Sequence, residues 1–347
     1  MGVEMKKMKK MSALLGAWLL LAPAVMAAEH GGEGAGNAAL RYWMAFAQMK
    51  NPPSDSETAE LLERAAAGEA PWDDSLADIV QGNREALATM HRGTRLSFCE
   101  WGYEHDLLAD APIANLPRAR ALARLNLLLG RWLLTQGKTA EAVEAWLAGV
   151  RFSRDFASDG VFIVQSIAGR SLTDHLLALG RAVADGKLDA AGLASIEREV
   201  AALPADGFDW SVAARHESET LSGLIAQLQL EEEPLKAMAP YFPTKGDEDA
   251  RRAALASMLG LPEAELSDTQ AVWAALQEAR ELNDALRPDL IAALQEPWGD
   301  DDDVFADLDG RARQNPTLWM MWPTLTRVNE RRGEVVAARA GLLGRLQ

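Results

Sequence analysis

Cysteine is almost missing from this sequence, since Cys99 is the only one among 347 residues. A lone cysteine cannot form a disulfide within the chain, so the fold must depend on its hydrophobic core. No cysteine lies near the N-terminus, which excludes a lipid-modified N-terminal cysteine. The length is sufficient for a large core, arranged either as one extended helical array or as two domains.

Complete catalytic motifs are missing too. The sequence contains no Gly-x-Ser-x-Gly motif, no phosphate-binding loop and no dinucleotide fingerprint. His216 and Glu217 begin the zinc-protease pattern, but no second histidine follows at the required spacing, and the five histidines are scattered. The sequence therefore favours a non-catalytic protein over an enzyme and indicates no cofactor.

Alternating polar and apolar residues, the mark of half-buried strands, are absent over any useful length. Alanine and leucine dominate instead, and 11 tryptophans can fill the spaces between helices. We therefore predict an all-α fold of antiparallel helical hairpins in an α-solenoid-like array. The turn at residues 204–207 suggests a boundary between a helical-repeat-like domain, residues 37–204, and a C-terminal helical domain, residues 205–347.

The first residues have the three parts of a secretory signal peptide. Four lysines precede an apolar stretch over residues 11–26, and Ala27 and Ala28 supply the small residues of a cleavage site. We expect a signal peptide at residues 1–27, a flexible spacer at residues 28–36, and a periplasmic or secreted protein without a membrane span after cleavage. The alternative is an uncleaved N-terminal anchor.

The charge balance is acidic, with a formal net charge of −16. Removal of residues 1–27 would take away four lysines and one glutamate, leaving 31 basic and 50 acidic side chains and a charge of −19. Such a surface repels phosphate backbones and anionic lipid headgroups. Nucleic acid and peripheral membrane surfaces are therefore excluded as expected partners, whereas basic proteins and cations are favoured.

One stretch has the spacing of a helical hairpin with close contacts. Its small and bulky positions are Gly130, Leu133, Ala142, Trp146 and Gly149. Residues 126–154 resemble a tetratricopeptide-type (TPR-like) repeat, a two-helix unit, although Arg154 stands where that repeat usually has proline. The resemblance implies an antiparallel hairpin within an α-solenoid; an ordinary hairpin that obeys the same packing rules is the alternative. Residues 37–46 also resemble the beginning of a set of exported bacterial proteins, a resemblance that implies no function.

The densest group of reactive side chains lies at residues 99–106. Cys99, Glu100 and His105 are the candidate catalytic residues, because a thiolate nucleophile needs a neighbouring base and His105 is the nearest one. Nearby carboxylates would raise the pKa of the thiol and so oppose this role. The alternative is a buried cysteine and tryptophan that anchor a loop edged by acids.

Three arginines form a stripe on one predicted helix. Arg120, Arg124 and Arg131 lie within a narrow arc at 3.6 residues per turn. On so acidic a protein, this stripe could bind a carboxylate-bearing peptide or ligand in a helical groove. The alternative is that the arginines pair with the acids of the chain itself.

A conditional metal site depends on where the signal peptide is cleaved. Cleavage after Ala27 would place His30 third in the mature chain, where the free amine, two backbone nitrogens and the imidazole could enclose Cu²⁺ or Ni²⁺. Cleavage one residue later would abolish that site.

Together these patterns favour an exported, non-catalytic helical scaffold that binds a protein or peptide partner in the cell envelope. The alternative is a metal-dependent or thiol enzyme with a site around residues 99–106.

Overall fold

The structure, a computed structural model, describes residues 36–50, 56–111, 113, 115–186, 188–238, 248–299 and 303–347. The predicted signal peptide, most of the predicted spacer and His30 lie outside these residues. Within them all regular elements are helical, and the β pairing is limited to one isolated bridge between Asn37 and Phe98. The prediction of an all-α fold is confirmed. None of the helices in the described ranges is long and apolar enough to cross a membrane.

The helices are numbered here in chain order. They are α1 (Ala38–Gln48), α2 (Ser56–Ala67), α3 (Ser75–Gly82), α4 (Arg84–Gly93), α5 (Leu116–Thr135), α6 (Thr139–Ala157), α7 (Phe162–Ala184), α8 (Ala190–Ala201), α9 (Ser211–Leu228), α10 (Pro234–Met238), α11 (Glu248–Leu259), α12 (Thr269–Gln295), α13 (Asp303–Ala312), α14 (Pro316–Met321) and α15 (Leu325–Leu346). Two short 3₁₀ segments, His105–Asp110 and Glu263–Ser267, lie in the connections.

Polar side chains fix where several helices begin. Asn37 accepts a hydrogen bond from the backbone of Ala39 before α1, and Asp189 accepts one from Gly192 before α8. Before α5, Asn115 accepts one from Arg118, and a proline occupies the first turn. Each cap satisfies a backbone N–H that has no partner within its helix. At α5 and α8 the partners of the cap are local, whereas Asn37 also pairs with the backbone of Glu100.

The hairpin of α5 and α6 turns at Gly137, whose φ of 71° favours glycine. Across the pair, a Cβ atom added at Gly130 would lie only 2.3 Å from Nε1 of Trp146, so the helices can approach closely only with glycine there. Gly149 instead makes room for His175 of α7. The hairpin and its close contact are present, while its membership of the TPR-like family remains a prediction.

Helix α7 lies at the centre of the packing. It contacts α5, α6 and α15, while α1 pairs with α4 and α9 pairs with α12. The buried apolar side chains from all these helices form one continuous core. The described chain is therefore held together mainly by the burial of helix faces against α7 and its neighbours.

Arg332 on α15 bonds to two segments that are distant in the sequence. Arg332 is 1% exposed, and its guanidinium lies 2.9 Å from a carboxylate oxygen of Asp206. The same guanidinium donates to the carbonyl oxygen of Glu296 at 2.8 Å. All three residues lie after position 204; contact across that position comes from α7, which packs directly on α15. The division into two domains at that position is still a prediction.

Candidate functional site

A groove with an excess of positive charge lies between α2, α5, α7 and α15. It encloses about 340 Å³. We call it the arginine groove, after the four arginines that line it: Arg120 and Arg124 from α5, Arg170 from α7 and Arg331 from α15. Alanine and isoleucine side chains from α2, α5 and α7 line it beside them. Two of its arginines belong to the stripe predicted from the sequence.

The acids in the groove only partly neutralise these arginines. Glu63 lies 3.7 Å from Arg124 with both side chains exposed, and Asp174 lies 3.1 Å from Arg170 one helical turn away. Burial raises the pKa of Asp174, although the nearby arginines act in the opposite direction. Arg331 also pairs with Glu334 one turn along α15, so four guanidinium groups meet three carboxylates. No ion pair involving Arg120 is found among the described residues.

The third arginine of the predicted stripe does not lie in this groove. Arg131 donates hydrogen bonds to the carbonyl oxygens of Ala65 and Ala70, the second at 2.9 Å. These acceptors are at and beyond the C-terminal end of α2, where arginine favourably meets unpaired carbonyl groups. Arg131 therefore anchors α2 to α5, and it shares a face with Arg120 and Arg124 without sharing their groove.

Residues 99–106 separate into two groups with different surroundings. The Cys99 thiol lies 3.6 Å from the carbonyl oxygen of Asp155, which also accepts a hydrogen bond from the Trp101 indole at 2.7 Å. Burial, followed by the charge of Asp155, raises the pKa of Cys99 to about 12. Glu100 is exposed and pairs with Asn37 through its backbone at 2.7 and 3.0 Å. We call the connection between α4 and α5 the connector. Residues 99–101 attach it to α6 and to the start of α1.

His105, in contrast, meets two residues from other parts of the chain. Its Nε2 atom lies 3.4 Å from Oδ1 of Asp159 in the α6–α7 turn, and Nε2 of His216 on α9 lies 3.0 Å from the same oxygen. The two imidazole rings are stacked, with centroids 3.7 Å apart and planes 7° from parallel. We call these three residues the His–Asp–His cluster. Burial, followed by the neighbouring His105 ring, lowers the pKa of His216.

The other two described histidines lie in a buried hydrogen-bonded chain. Nε2 of His91 lies 2.7 Å from the side-chain oxygen of Asn126, whose amide nitrogen lies 3.2 Å from Nε2 of His175. Nδ1 of His175 lies 2.7 Å from the carbonyl oxygen of Ser171, which can only accept. His175 therefore carries its proton on Nδ1, and Nε2 accepts from Asn126. Burial lowers the pKa of His175 to about 4.

Several of these residues have no signal in the sequence. Asp159 and His216 are 54 and 111 positions from His105, and neither spacing belongs to a known ligand motif. Arg170 and Arg331 are likewise on helices remote from Arg120 and Arg124. They come together only through the packing of α7 against α5 and α15. No protein-family model, curated protein or solved structure matches this chain.

Proposed function

We propose that this protein is an exported, non-catalytic helical scaffold that binds an acidic segment of a protein or peptide partner in the arginine groove. The observation that carries the proposal is the local reversal of charge. The groove is lined by four arginines and two acids, and with Glu334, which pairs with Arg331, positive charge still exceeds negative charge on a chain whose formal net charge is −16. An arginine excess on so acidic a chain favours an anionic ligand at this place.

The chemistry of the groove fits carboxylates in particular. Arginine presents a planar fork of donors that can pair with both oxygens of a carboxylate. A volume of about 340 Å³ is enough for two or three side chains of a peptide rather than for a folded domain. The apolar side chains beside the arginines would contact the aliphatic parts of such a segment. We therefore expect aspartate or glutamate side chains, or a C-terminal carboxylate, to be the bound groups.

Exposure of the arginines supports a role in binding. The side chain of Arg124 is 38% exposed and that of Arg170 is 55% exposed, so a ligand can reach both. Exposed ion pairs within the chain, such as Arg124 with Glu63, contribute about 0–1 kcal/mol each. A ligand carboxylate can therefore replace these internal partners at little cost.

Fluorescence anisotropy with labelled peptides tests this function. We expect a peptide rich in Asp and Glu to bind the protein at low salt, and an Asn and Gln peptide of the same length not to bind. The double substitution Arg120→Glu and Arg124→Glu should weaken binding at least about tenfold, because it reverses two charges in the groove. Arg198→Glu, an exposed charge reversal on α8 outside the groove, is the matched control.

Equal binding of the acidic and amide peptides, or unchanged affinity in the double variant, would show that the groove does not bind carboxylates. Export is tested separately, by mass spectrometry of the N-terminus of the protein isolated from the cell envelope. A chain that begins at residue 28 or 29 agrees with the proposed signal peptide. A chain that retains residues 1–27 contradicts cleavage.

A further inference from the structure

We propose that the His–Asp–His cluster is a binding site for a divalent first-row transition metal, with Zn²⁺ as the expected ion. The site would use Nε2 of His105, Oδ1 of Asp159 and Nε2 of His216. This cluster shares no residue with the arginine groove, and the proposal does not depend on what that groove binds.

The donor set fits the metal. Two imidazole nitrogens and one carboxylate oxygen are ligands that zinc uses in open sites, where water takes the remaining positions. Zinc bonds of about 2.0 Å arranged as a tetrahedron place neighbouring ligand atoms about 3.3 Å apart. Oδ1 of Asp159 lies 3.4 Å from one nitrogen and 3.0 Å from the other. All three atoms lie within 4.8 Å of one another.

One of these atoms lacks a hydrogen-bond partner. Nε2 of His105 is buried, and among the described residues no group has the geometry to hydrogen-bond it. Asp159 is the near neighbour, at ion-pair distance but outside hydrogen-bonding geometry. A buried imidazole nitrogen without a partner carries a cost that coordination to a metal would remove.

Binding requires the two rings to tilt out of their stacked arrangement. A metal ion lies in the plane of each imidazole that binds it, so two parallel stacked rings cannot both bind one ion without tilting. The side chains are only partly buried, with exposed fractions of 25% for His105, 35% for Asp159 and 21% for His216. The rings therefore have room to turn, and water can reach the open positions of the metal.

Packing holds the three ligand-bearing segments together. Leu108, three residues after His105, packs on Gly223 of α9, where an added Cβ would lie 2.5 Å from the leucine. The carboxylate of Glu217 accepts a hydrogen bond of 3.1 Å from the backbone of Phe162, at the start of α7. The first contact fixes the His105 segment on α9, and the second fixes α9 beside the turn that carries Asp159. The ligands are thus brought together by the fold itself, as a specific site requires.

Metal binding can be measured on the full chain, purified without a histidine tag and carrying His30→Gln so that an N-terminal site cannot contribute. After removal of metals with a chelator, we expect calorimetry to show one equivalent of Zn²⁺. Co²⁺ should give the visible absorption of a four- or five-coordinate ion. His105→Ala, His216→Ala and Asp159→Asn should each weaken zinc binding at least about tenfold. Glu100→Gln, an exposed acid on the same connector, is the matched control.

A measurement on the ligand-intact chain avoids any question of misfolded variants. Zinc should shift the NMR ring signals of His105 and His216 and leave those of His91 and His175 in place. Absence of stoichiometric zinc binding would overturn the proposal and leave the cluster as a hydrogen-bonded group. Binding that survives both histidine substitutions, or that shifts the other pair of signals, would overturn it as well.

Discussion

Two pairs of histidines in this chain have opposite surroundings. His91 and His175 are joined by an amide, Asn126, which donates to one ring and accepts from the other. His105 and His216 meet at a carboxylate, Asp159, on a partly exposed surface. An amide satisfies neutral rings, whereas a carboxylate attracts a cation. The surroundings of a histidine therefore decide its role, which is stability in the core and, in the proposed site, metal binding.

Removal of the Asn126 amide, which joins His91 and His175, has the largest expected effect. Asn126→Ala removes the hydrogen-bond partner that Nε2 of His91, Nε2 of His175 and the carbonyl oxygen of Ala145 share. We expect the free energy of unfolding to fall by about 3–5 kcal/mol, from several unsatisfied buried groups and a cavity. Urea unfolding followed by tryptophan fluorescence measures the loss. A loss under about 1 kcal/mol would mean that water replaces the amide.

Lowering the pH should destabilise the folded chain through His175, which is fully buried. Burial lowers the pKa of His175 from 6.5 to about 4, so the unfolded chain binds a proton there at a higher pH than the folded chain. Stability supplied by this residue is therefore lost as pH falls from 6.5 to 4, by about 3 kcal/mol in total. Urea unfolding at several pH values checks this, with His175→Gln as the reference. Parallel pH curves for the two chains would contradict it.

The substitution Gly223→Ala should disturb the His–Asp–His cluster. The added methyl group would meet Leu108 at 2.5 Å, and Leu108 already has a φ of 55°, a left-handed conformation that is rare for leucine. We expect the His105 segment to move off α9, with a loss of about 1–3 kcal/mol in stability and about tenfold in zinc affinity. Gly341→Ala on α15, where nothing lies within 4 Å, is the control and should stabilise slightly. Equal zinc affinity in both variants would show that Leu108 does not position the site.

The smallest effect is expected at the cysteine. Cys99→Ala should leave both zinc affinity and peptide binding unchanged within about twofold, because the thiol lies on Asp155 rather than in either site. Its raised pKa of about 12 should also slow alkylation of the folded chain about a thousandfold relative to the unfolded chain. Rapid labelling of the native protein by iodoacetamide would contradict this and would favour the alternative of a thiol enzyme.

Helices could be predicted from this sequence better than sites could. Asn37, Asn115 and Asp189 act on backbone groups two or three residues away, so their effect is visible in the sequence alone. The close approach of Gly130 to Trp146 is also local, because one tight turn joins their helices.

The sites depend on packing between remote segments. Asp159 and His216 approach His105 because a connector docks on α9, and no spacing rule encodes that docking. The placement of Arg131 shows a related limit. It shares a helical face with Arg124, but seven residues are about 10 Å of helix, enough to meet a different neighbour. The 3.6-residue periodicity predicts which residues share a helical face. It does not predict which neighbouring segment packs against each part of that face.

The contacts of α15 join it to segments that were synthesised more than a hundred positions earlier. Arg332 reaches Asp206 across 126 positions, and Arg345 donates to the carbonyl oxygen of Gly180 across 165. Loops of that length close slowly compared with the formation of a helix. During synthesis, which proceeds from the N-terminus, α7 is therefore complete long before α15 arrives to cover it. Until then the face of α7 that α15 covers lacks its partner, and transiently exposed apolar surface of this kind favours aggregation.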